Sequence, residues 1–300
     1  MADLVTFARS PLGQDITLDP SAGGILIQGA TGSGKSSCAL SIALSLARMG
    51  FSLCCLNPKY IGWSALAPVA HVVIDDGQFV KVMQSCADEL RRRFLNMSSQ
   101  GREVFMPSAE EPRFALIVEE VAALTSANPD KRSRDAFLQS LLVYSNMSRA
   151  AGMCLVLICQ SCDSTTIPTA VRSNAAAKIG LRSDWTQWGM LIGDDEEALN
   201  RTLSVTAPGD LLARTSPTDG WERGRTWLVD EDRARREALE IASDGRAVVP
   251  PFLDFNRPER PPDRLKAYKS APPGRIAQPK GAPGGPQGNN APYLPVRTHN

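Results

Sequence analysis

Residues 29–36 read Gly29-Ala30-Thr31-Gly32-Ser33-Gly34-Lys35-Ser36, and this stretch decides the fold of the chain. It fits the pattern G-x-x-x-x-G-K-[ST] of phosphate-binding loops. Residues 24–28 before it form a short apolar run typical of a buried strand. Apolar residues then recur at helical spacing from 38 to 46, and Gly50 stands where a helix would end. The order strand, glycine loop, helix is the context that such a loop requires.

The loop pattern predicts a site for the phosphates of ATP. Glycines let the backbone turn its N–H groups inward, and the N-terminus of the following helix adds partial positive charge. Lys35 would reach the outer phosphates, and the Ser36 hydroxyl would ligate Mg²⁺, so we expect ATP and Mg²⁺ as cofactors. The alternative is a glycine-rich turn without a ligand. The residues expected to contact the nucleotide are Gly29, Ala30, Thr31, Gly32, Ser33, Gly34, Lys35, Ser36 and Ser37.

Two acidic residues end a second apolar run, and a polar residue ends a third. Residues 114–118 run straight into Glu119 and Glu120, and residues 153–159 run into Gln160. Ligands of open α/β sheets lie at the carboxyl ends of the strands. We expect Glu119 to hold the Mg²⁺ shell, Glu120 to orient and deprotonate the attacking water, and Gln160 to sense the γ-phosphate. The alternative for the acids is a strand that ends at the solvent with two exposed glutamates.

Strands and helices alternate along the chain, which predicts an α/β fold with a mostly parallel sheet covered on both faces. Together with the phosphate loop, this pattern resembles the P-loop NTPase (RecA-like) class. Further strands are expected at 51–56 and 71–74, and a hairpin at 209–214 and 225–229. A polar loop is expected at 97–112. The remaining helices are expected at 78–96, around 137–144 and at 231–242.

Composition divides the chain into three parts. Residues 1–23 form a lead-in with an edge strand expected at 12–18, residues 24–245 form the motor domain, and residues 246–300 form a tail. The tail is rich in Pro and Gly, so it cannot bury enough apolar surface to offset its ordering entropy. We interpret it as a disordered basic segment; the alternative is a tail that binds DNA or a partner protein.

Bulk properties restrict the class of protein only broadly. The net charge of +1 neither demands nor forbids a nucleic-acid partner. No apolar run approaches the roughly 20 residues of a spanning helix, and the scattered cysteines do not resemble a secreted disulfide scaffold, so a cytoplasmic location is expected. The pair Cys159 and Cys162 is interpreted as a chance spacing, because a zinc site would need a second pair or a nearby histidine.

Together these motifs resemble the motor domain of the FtsK/SpoIIIE DNA translocases, within the FtsK–HerA group of P-loop ATPases. The phosphate loop is similar to the family's G-x-T-G-S-G-K-S, and the resemblance covers roughly residues 10–235. Further stretches similar to family motifs follow in the same order: Asn57-Pro58-Lys59, Glu89-Leu90-Arg91-Arg92-Arg93-Phe94, Arg149-Ala150-Ala151-Gly152-Met153, Cys159-Gln160-Ser161, residues 167–174 and Gly209-Asp210-Leu211-Leu212.

The resemblance implies an ATP-driven motor that moves double-stranded DNA, without sequence preference, through a homo-oligomeric ring, expected to be a hexamer. It also implies that Arg149 is an arginine finger for the adjoining subunit's site and that Gln160 couples hydrolysis to strand movement. The alternative for Arg149 is a surface salt bridge. Arg172 and Lys178 are candidates for contact with DNA, each with an ordinary surface charge as its alternative.

Some positions depart from the family pattern. The usual Asp-Glu pair is Glu119-Glu120, and Asn57 replaces an aspartate. Nothing after residue 250 resembles a winged-helix end, so a stand-alone motor of the kind carried by mobile elements, plasmids or phages is expected. Two other functions stay open: a coupling or secretion-type ATPase that acts on a protein, and a nucleotide-binding scaffold with weak hydrolysis.

Overall fold

The computed structural model describes residues 4–127, 130–164, 166–245 and 250–253, and its strands form one sheet. The order across the sheet is β2-β1-β10-β9-β8-β3-β7-β6-β4-β5. The strands are β1 (Val5–Arg9), β2 (Asp15–Leu18), β3 (Gly24–Gln28), β4 (Ser52–Leu56), β5 (Ala70–Val73), β6 (Phe114–Glu119), β7 (Met153–Cys159), β8 (Ala175–Leu181), β9 (Asp210–Arg214) and β10 (Glu222–Thr226).

Strand direction divides the sheet into two parts. From β5 to β8 every neighbouring pair is parallel, and from β8 through β9, β10 and β1 to β2 every pair is antiparallel. Parallel strands need crossover connections, which the helices supply. The helices are α1 (Lys35–Arg48), α2 (Asp76–Ser99), α3 (Val121–Ala127), α4 (Lys131–Met147), α5 (Thr169–Ser173), α6 (Trp185–Ile192), α7 (Glu196–Thr202) and α8 (Glu231–Ser243).

Helices cover both faces of the sheet, which confirms the predicted fold class. Alternate side chains of the buried strands point to opposite faces, so Ile25 and Ile27 join the core under α1 and α8, while Leu26 joins the core under α2 and α4. Strands β6 and β7 are buried along their whole length, as central parallel strands are.

Helix starts differ in a way that matters for the site. Helices α2, α4, α6, α7 and α8 each begin after an aspartate whose carboxylate accepts a first-turn N–H. Helix α1 begins after Gly34, which has a left-handed backbone and supplies no side-chain cap. Its first N–H groups are therefore left for a ligand, the arrangement that favours an anion.

Three expectations about the elements were wrong in their bounds or incomplete. Helix α2 continues to Ser99, three residues into the predicted loop. The second hairpin strand is β10 at Glu222–Thr226 and not at 225–229, because the apolar residues after it include Val229, which packs in the core beside α1. Strand β8 was missed because its run of alanines is interrupted by Lys178 and carries little apolar signal.

The two ends of the described chain join the sheet. Strand β2 lies at one edge, as expected for residues 12–18, and β1 pairs with β10. Near the other end, the Phe252 ring packs edge-on against Phe114 with 5.0 Å between centroids. The rest of the predicted tail, 246–249 and 254–300, lies outside the described residues. None of the described helices is both long and apolar enough to cross a lipid bilayer.

Candidate nucleotide-binding site

The phosphate loop is fixed by its glycines. Gly32 and Gly34 have φ of 72° and 100°, values that side chains rarely adopt. A Cβ at Gly34 would lie 2.9 Å from the backbone nitrogen of Gly209, whose N–H donates to the Ser33 carbonyl at 2.8 Å. The loop is thus packed against the segment that leads into β9, and only glycine fits at position 34.

Lys35 is folded back onto its own loop. Its Nζ donates to the carbonyl oxygens of Gly29 at 2.6 Å and Ala30 at 2.9 Å. Burial, and next the charge of Lys59, lower the pKa of Lys35, whereas Glu120 and Glu119 act in the opposite direction. The ammonium group therefore lies within the electrostatic field of both acids that follow β6.

The two serines after Lys35 are used differently. Ser36 is exposed on the first turn of α1. The Ser37 hydroxyl donates to the Val229 carbonyl at 2.9 Å and accepts the Val229 N–H at 3.3 Å. This hydroxyl links α1 to the segment after β10 and is therefore not available to a nucleotide. A contact between Ser37 and a nucleotide would have to come from the Ser37 backbone N–H.

Glu119 is buried at the end of β6 and is held by two donors. One carboxylate oxygen accepts from Lys59 Nζ at 2.8 Å, and the other accepts from the Trp63 indole N–H at 3.2 Å. Neither donor was predicted as a site residue. Lys59 follows β4 in the Asn57-Pro58-Lys59 motif, a position that could have indicated the site, whereas Trp63 gives no such signal.

Glu120 turns out of the strand direction. Its φ of 55° is unusual for a residue with a side chain, and its N–H still bonds to the Ile158 carbonyl at 2.8 Å. The turned carboxylate lies 3.5 Å from the Gln160 N–H and 3.8 Å from Lys59 Nζ. Such strained residues cluster at functional sites, where the surrounding structure enforces them.

Strand order explains why these groups meet. Strands β3, β7 and β6 are parallel neighbours, and β4 lies beside β6. Their carboxyl ends form one edge of the sheet, which we call the phosphate edge. The Thr31 hydroxyl and the Gln160 side-chain oxygen are 3.5 Å apart there, so Gln160 adjoins the loop.

Arg149 lies away from this edge. It is exposed in a short 3-10 turn, Ser148–Ala151, just before β7 begins. The seven residues of β7 separate it from Gln160, about 20 Å along a strand. Arg149 therefore does not reach the phosphate loop of its own chain.

Other predicted or notable side chains are engaged within the chain. The Arg172 guanidinium donates to the Cys162 carbonyl, and Lys178 Nζ lies 3.4 Å from the Leu191 carbonyl. The thiols of Cys159 and Cys162 are 3.1 Å apart and buried. The hydrogen bond from Cys162, and then burial, raise the pKa of Cys159, which keeps this thiol protonated.

The donor set fits Mg²⁺ bound together with phosphates. Among the described residues no cluster of three or more His, Cys, Asp or Glu could hold a metal ion alone. Mg²⁺ usually takes one or two protein oxygens and fills its shell with phosphate and water oxygens. The ammonium of Lys59 between Glu119 and Glu120 shows that this pair attracts a cation. The buried Ser33 hydroxyl also has no hydrogen-bond partner among the described residues, so it has a free donor and acceptor that a phosphate oxygen or water could use.

Comparisons with known proteins support the family resemblance and the fold. Residues 5–113 match the model of the FtsK/SpoIIIE family, and the resemblance seen in the motifs is confirmed. The conjugation coupling protein TcpA of pCW3, solved as a monomer with ATPγS, is 19% identical with a TM-score of 0.69, covering 80% of this chain and 71% of that chain. No curated protein matches.

A second group of similar structures comes from type VII secretion. The cytoplasmic domain of the secretion ATPase EccC from Thermomonospora curvata is 19% identical with a TM-score of 0.64, covering 83% of this chain and 32% of that chain. ATPases 2 and 3 of the same organism's EccC, in complex with a signal sequence peptide, are 17% identical with a TM-score of 0.66, covering 83% of this chain and 48% of that chain. This chain thus spans a third to a half of the EccC chains, and what it shares with them is the fold.

Proposed function

We propose, from the FtsK/SpoIIIE signature of residues 5–113, that this chain is an ATPase motor that moves double-stranded DNA through a homo-oligomeric ring. The observation that carries the proposal is the phosphate edge. There Lys35, at the end of the loop that follows β3, lies near Glu119 and Glu120 at the end of β6, and Gln160 follows β7.

Each residue has a role that its position supports. Lys35 exchanges its two loop carbonyls for the outer phosphates of ATP, with which an ammonium pairs more strongly. Glu120 accepts the proton of the attacking water, and Gln160 holds that water or contacts the γ-phosphate. Ser36 and Glu119 would hold Mg²⁺, which would neutralise charge on the phosphates.

Arg149 acts on the site of a neighbouring copy. Because it is exposed at the sheet edge opposite the phosphate loop, it is available to another subunit and not to its own. A guanidinium is always charged and spreads its donors over the phosphate oxygens. A head-to-tail contact repeated around a closed ring, which we propose to be a hexamer, gives every site one finger.

The test is ATP hydrolysis with and without duplex DNA. We expect duplex of unrelated sequences to stimulate hydrolysis equally, with a strong dependence on salt, because phosphates and not bases are gripped. The Glu120→Gln variant should bind ATP with about the wild-type affinity but hydrolyse it 10²–10⁴-fold more slowly, roughly the contribution of a general base. A normal ATPase rate that no duplex changes would overturn the DNA part.

A second candidate, an ATPase that acts on a protein, is favoured by the similarity to EccC, one structure of which holds a signal sequence peptide. The same assay separates the two functions, because duplex DNA would not stimulate a protein-acting ATPase, and a gel-shift measurement at low salt would then show no DNA binding. Single-turnover cleavage of ATP by the wild-type chain, lost in Glu120→Gln, would exclude the third alternative, a scaffold without hydrolysis.

A further inference from the structure

The loop after β4 is shaped to reach Glu119. Asn57 is buried there, its side-chain nitrogen donates to the Ile61 carbonyl at 3.2 Å, and its side-chain oxygen accepts the Lys59 N–H at 3.2 Å. The backbone then turns at Tyr60 and Gly62, with φ of 64° and 88°. These turns bring Lys59 and Trp63 to the two oxygens of one carboxylate.

The two donors differ in charge and in freedom to move. Trp63 is 3% exposed, packs in the core under α1 and α8, and offers a single neutral N–H. The Lys59 side chain is 45% exposed and charged, and lies near Glu120 as well. A neutral, buried donor can stay on a carboxylate that also binds a cation, whereas an ammonium repels the cation and has solvent to move into.

We propose that Lys59 and Trp63 form a clamp on Glu119 in which Trp63 positions the carboxylate for Mg²⁺ and Lys59 holds the cation's place until Mg²⁺ arrives with ATP. The clamp rests on the ATP–Mg²⁺ part of the proposed function. It also accounts for the glutamate at a position where the family has aspartate. The longer side chain has an extra rotatable bond, and the fixed indole donor of Trp63 restricts the conformers that it would otherwise sample.

The first test removes the indole N–H. Mg²⁺ is titrated into the full chain with a fluorescent, non-hydrolysable ATP analogue present, and binding of the analogue is the readout. We expect Trp63→Phe to weaken Mg²⁺ affinity about 10-fold or more, the usual effect of losing an outer-shell partner of a metal ligand. Trp221→Phe is the matched control, because Trp221 is also buried but packs in the core on the other face of the sheet, against Arg214.

The second test removes the ammonium. Lys59→Met should strengthen Mg²⁺ binding about 2- to 5-fold, the range that corresponds to a half-exposed ion pair. We therefore expect opposite effects on Mg²⁺ affinity when one or the other of the two Glu119 donors is removed. Because Lys59 is half-exposed, this variant tests the clamp even if the loss of the buried indole prevents folding.

Two results would overturn the clamp. Equal Mg²⁺ affinity in Trp63→Phe and Trp221→Phe would show that the indole does not position Glu119. Weaker Mg²⁺ binding in Lys59→Met would show that Lys59 is a permanent partner of the loaded site. Neither measurement involves DNA or hydrolysis, so a failure of DNA stimulation with this pattern intact would contradict the motor and leave the clamp standing.

Discussion

At the scale of single residues, strain is concentrated at the phosphate edge. Among the described residues, the non-glycine positions with a left-handed backbone are Tyr60 and Glu120, and both lie on segments that surround Glu119. Such a conformation costs on the order of 1–3 kcal/mol and persists where its surroundings enforce it. Here it aims the Glu120 carboxylate at Gln160 instead of continuing β6.

The glycines of the phosphate loop give a residue-scale prediction. Alanine at Gly34 meets a left-handed backbone and the Gly209 nitrogen, so we expect a loss of about 2–4 kcal/mol in the free energy of unfolding. Alanine at Gly32 meets the same backbone penalty but open space, and should cost only about 1–2 kcal/mol. Urea unfolding of the two variants measures the difference, and equal losses would show that the contact with Gly209 is unimportant.

At the scale of elements, β7 separates two functions. Gln160 follows its last residue at the phosphate edge, and the turn with Arg149 precedes its first. That turn is held by Arg93 of α2, whose guanidinium donates to the carbonyls of Ala151 at 3.0 Å and Pro112 at 2.9 Å. Arg93 is buried and paired with Glu89 at 2.9 Å, so α2 supports the turn that carries Arg149 through a buried ion pair.

Removing this support should be costly. We expect Arg93→Met to lower the free energy of unfolding by about 3 kcal/mol, because it leaves Glu89 buried with one partner fewer and frees the Ala151 carbonyl. Arg91→Met on the same helix breaks only an exposed pair with Asp88 and should cost less than about 1 kcal/mol. Chemical denaturation compares them, and similar costs would mean that the buried pair adds no stability.

At the scale of the whole molecule, the phosphate loop and Arg149 lie on opposite sides of the sheet. The phosphate loop with its acids lies at one edge of the sheet, and Arg149 lies at the other. Under our proposal, each chain therefore supplies a phosphate loop to its own site and Arg149 to the site of a neighbouring subunit. This division is what a ring of identical subunits would use, and it makes the oligomer a requirement for full activity under our proposal.

Mixing two inactive variants tests that requirement. Lys35→Ala removes the loop lysine and Arg149→Ala removes the finger, so each alone should lose at least about 10³-fold in hydrolysis rate. In mixed rings, an Arg149→Ala subunit still has an intact phosphate loop, and a neighbouring Lys35→Ala subunit still has Arg149. Together the two form an intact site, and we expect activity to return as the mixing ratio approaches equality. A mixture no more active than its parts would contradict a finger supplied in trans.

Local patterns in the chain were sufficient to predict the phosphate loop, most buried strands and the positions of Glu119, Glu120 and Gln160. Each of these depends on neighbours a few residues away, through glycine geometry and apolar runs that alternate with helices. Strand β8 escaped prediction because alanines and Lys178 carry little of that signal. The bounds of β10 were displaced by a few residues because the apolar residues after it, among them Val229, pack in the core.

The composition of the site was decided by long-range packing. The order β4-β6-β7-β3 places residues far apart in the chain at one edge, and no local preference encodes which strands become neighbours. Lys59 and Trp63 contact Glu119 although about 60 residues separate them from it in the chain. Arg149, in contrast, lies on the other side of the sheet from the phosphate loop. The sequence by itself determined which side chains could take part in a nucleotide site. The tertiary structure decided which of these side chains lie together, because burying both faces of one sheet sets the order of its strands.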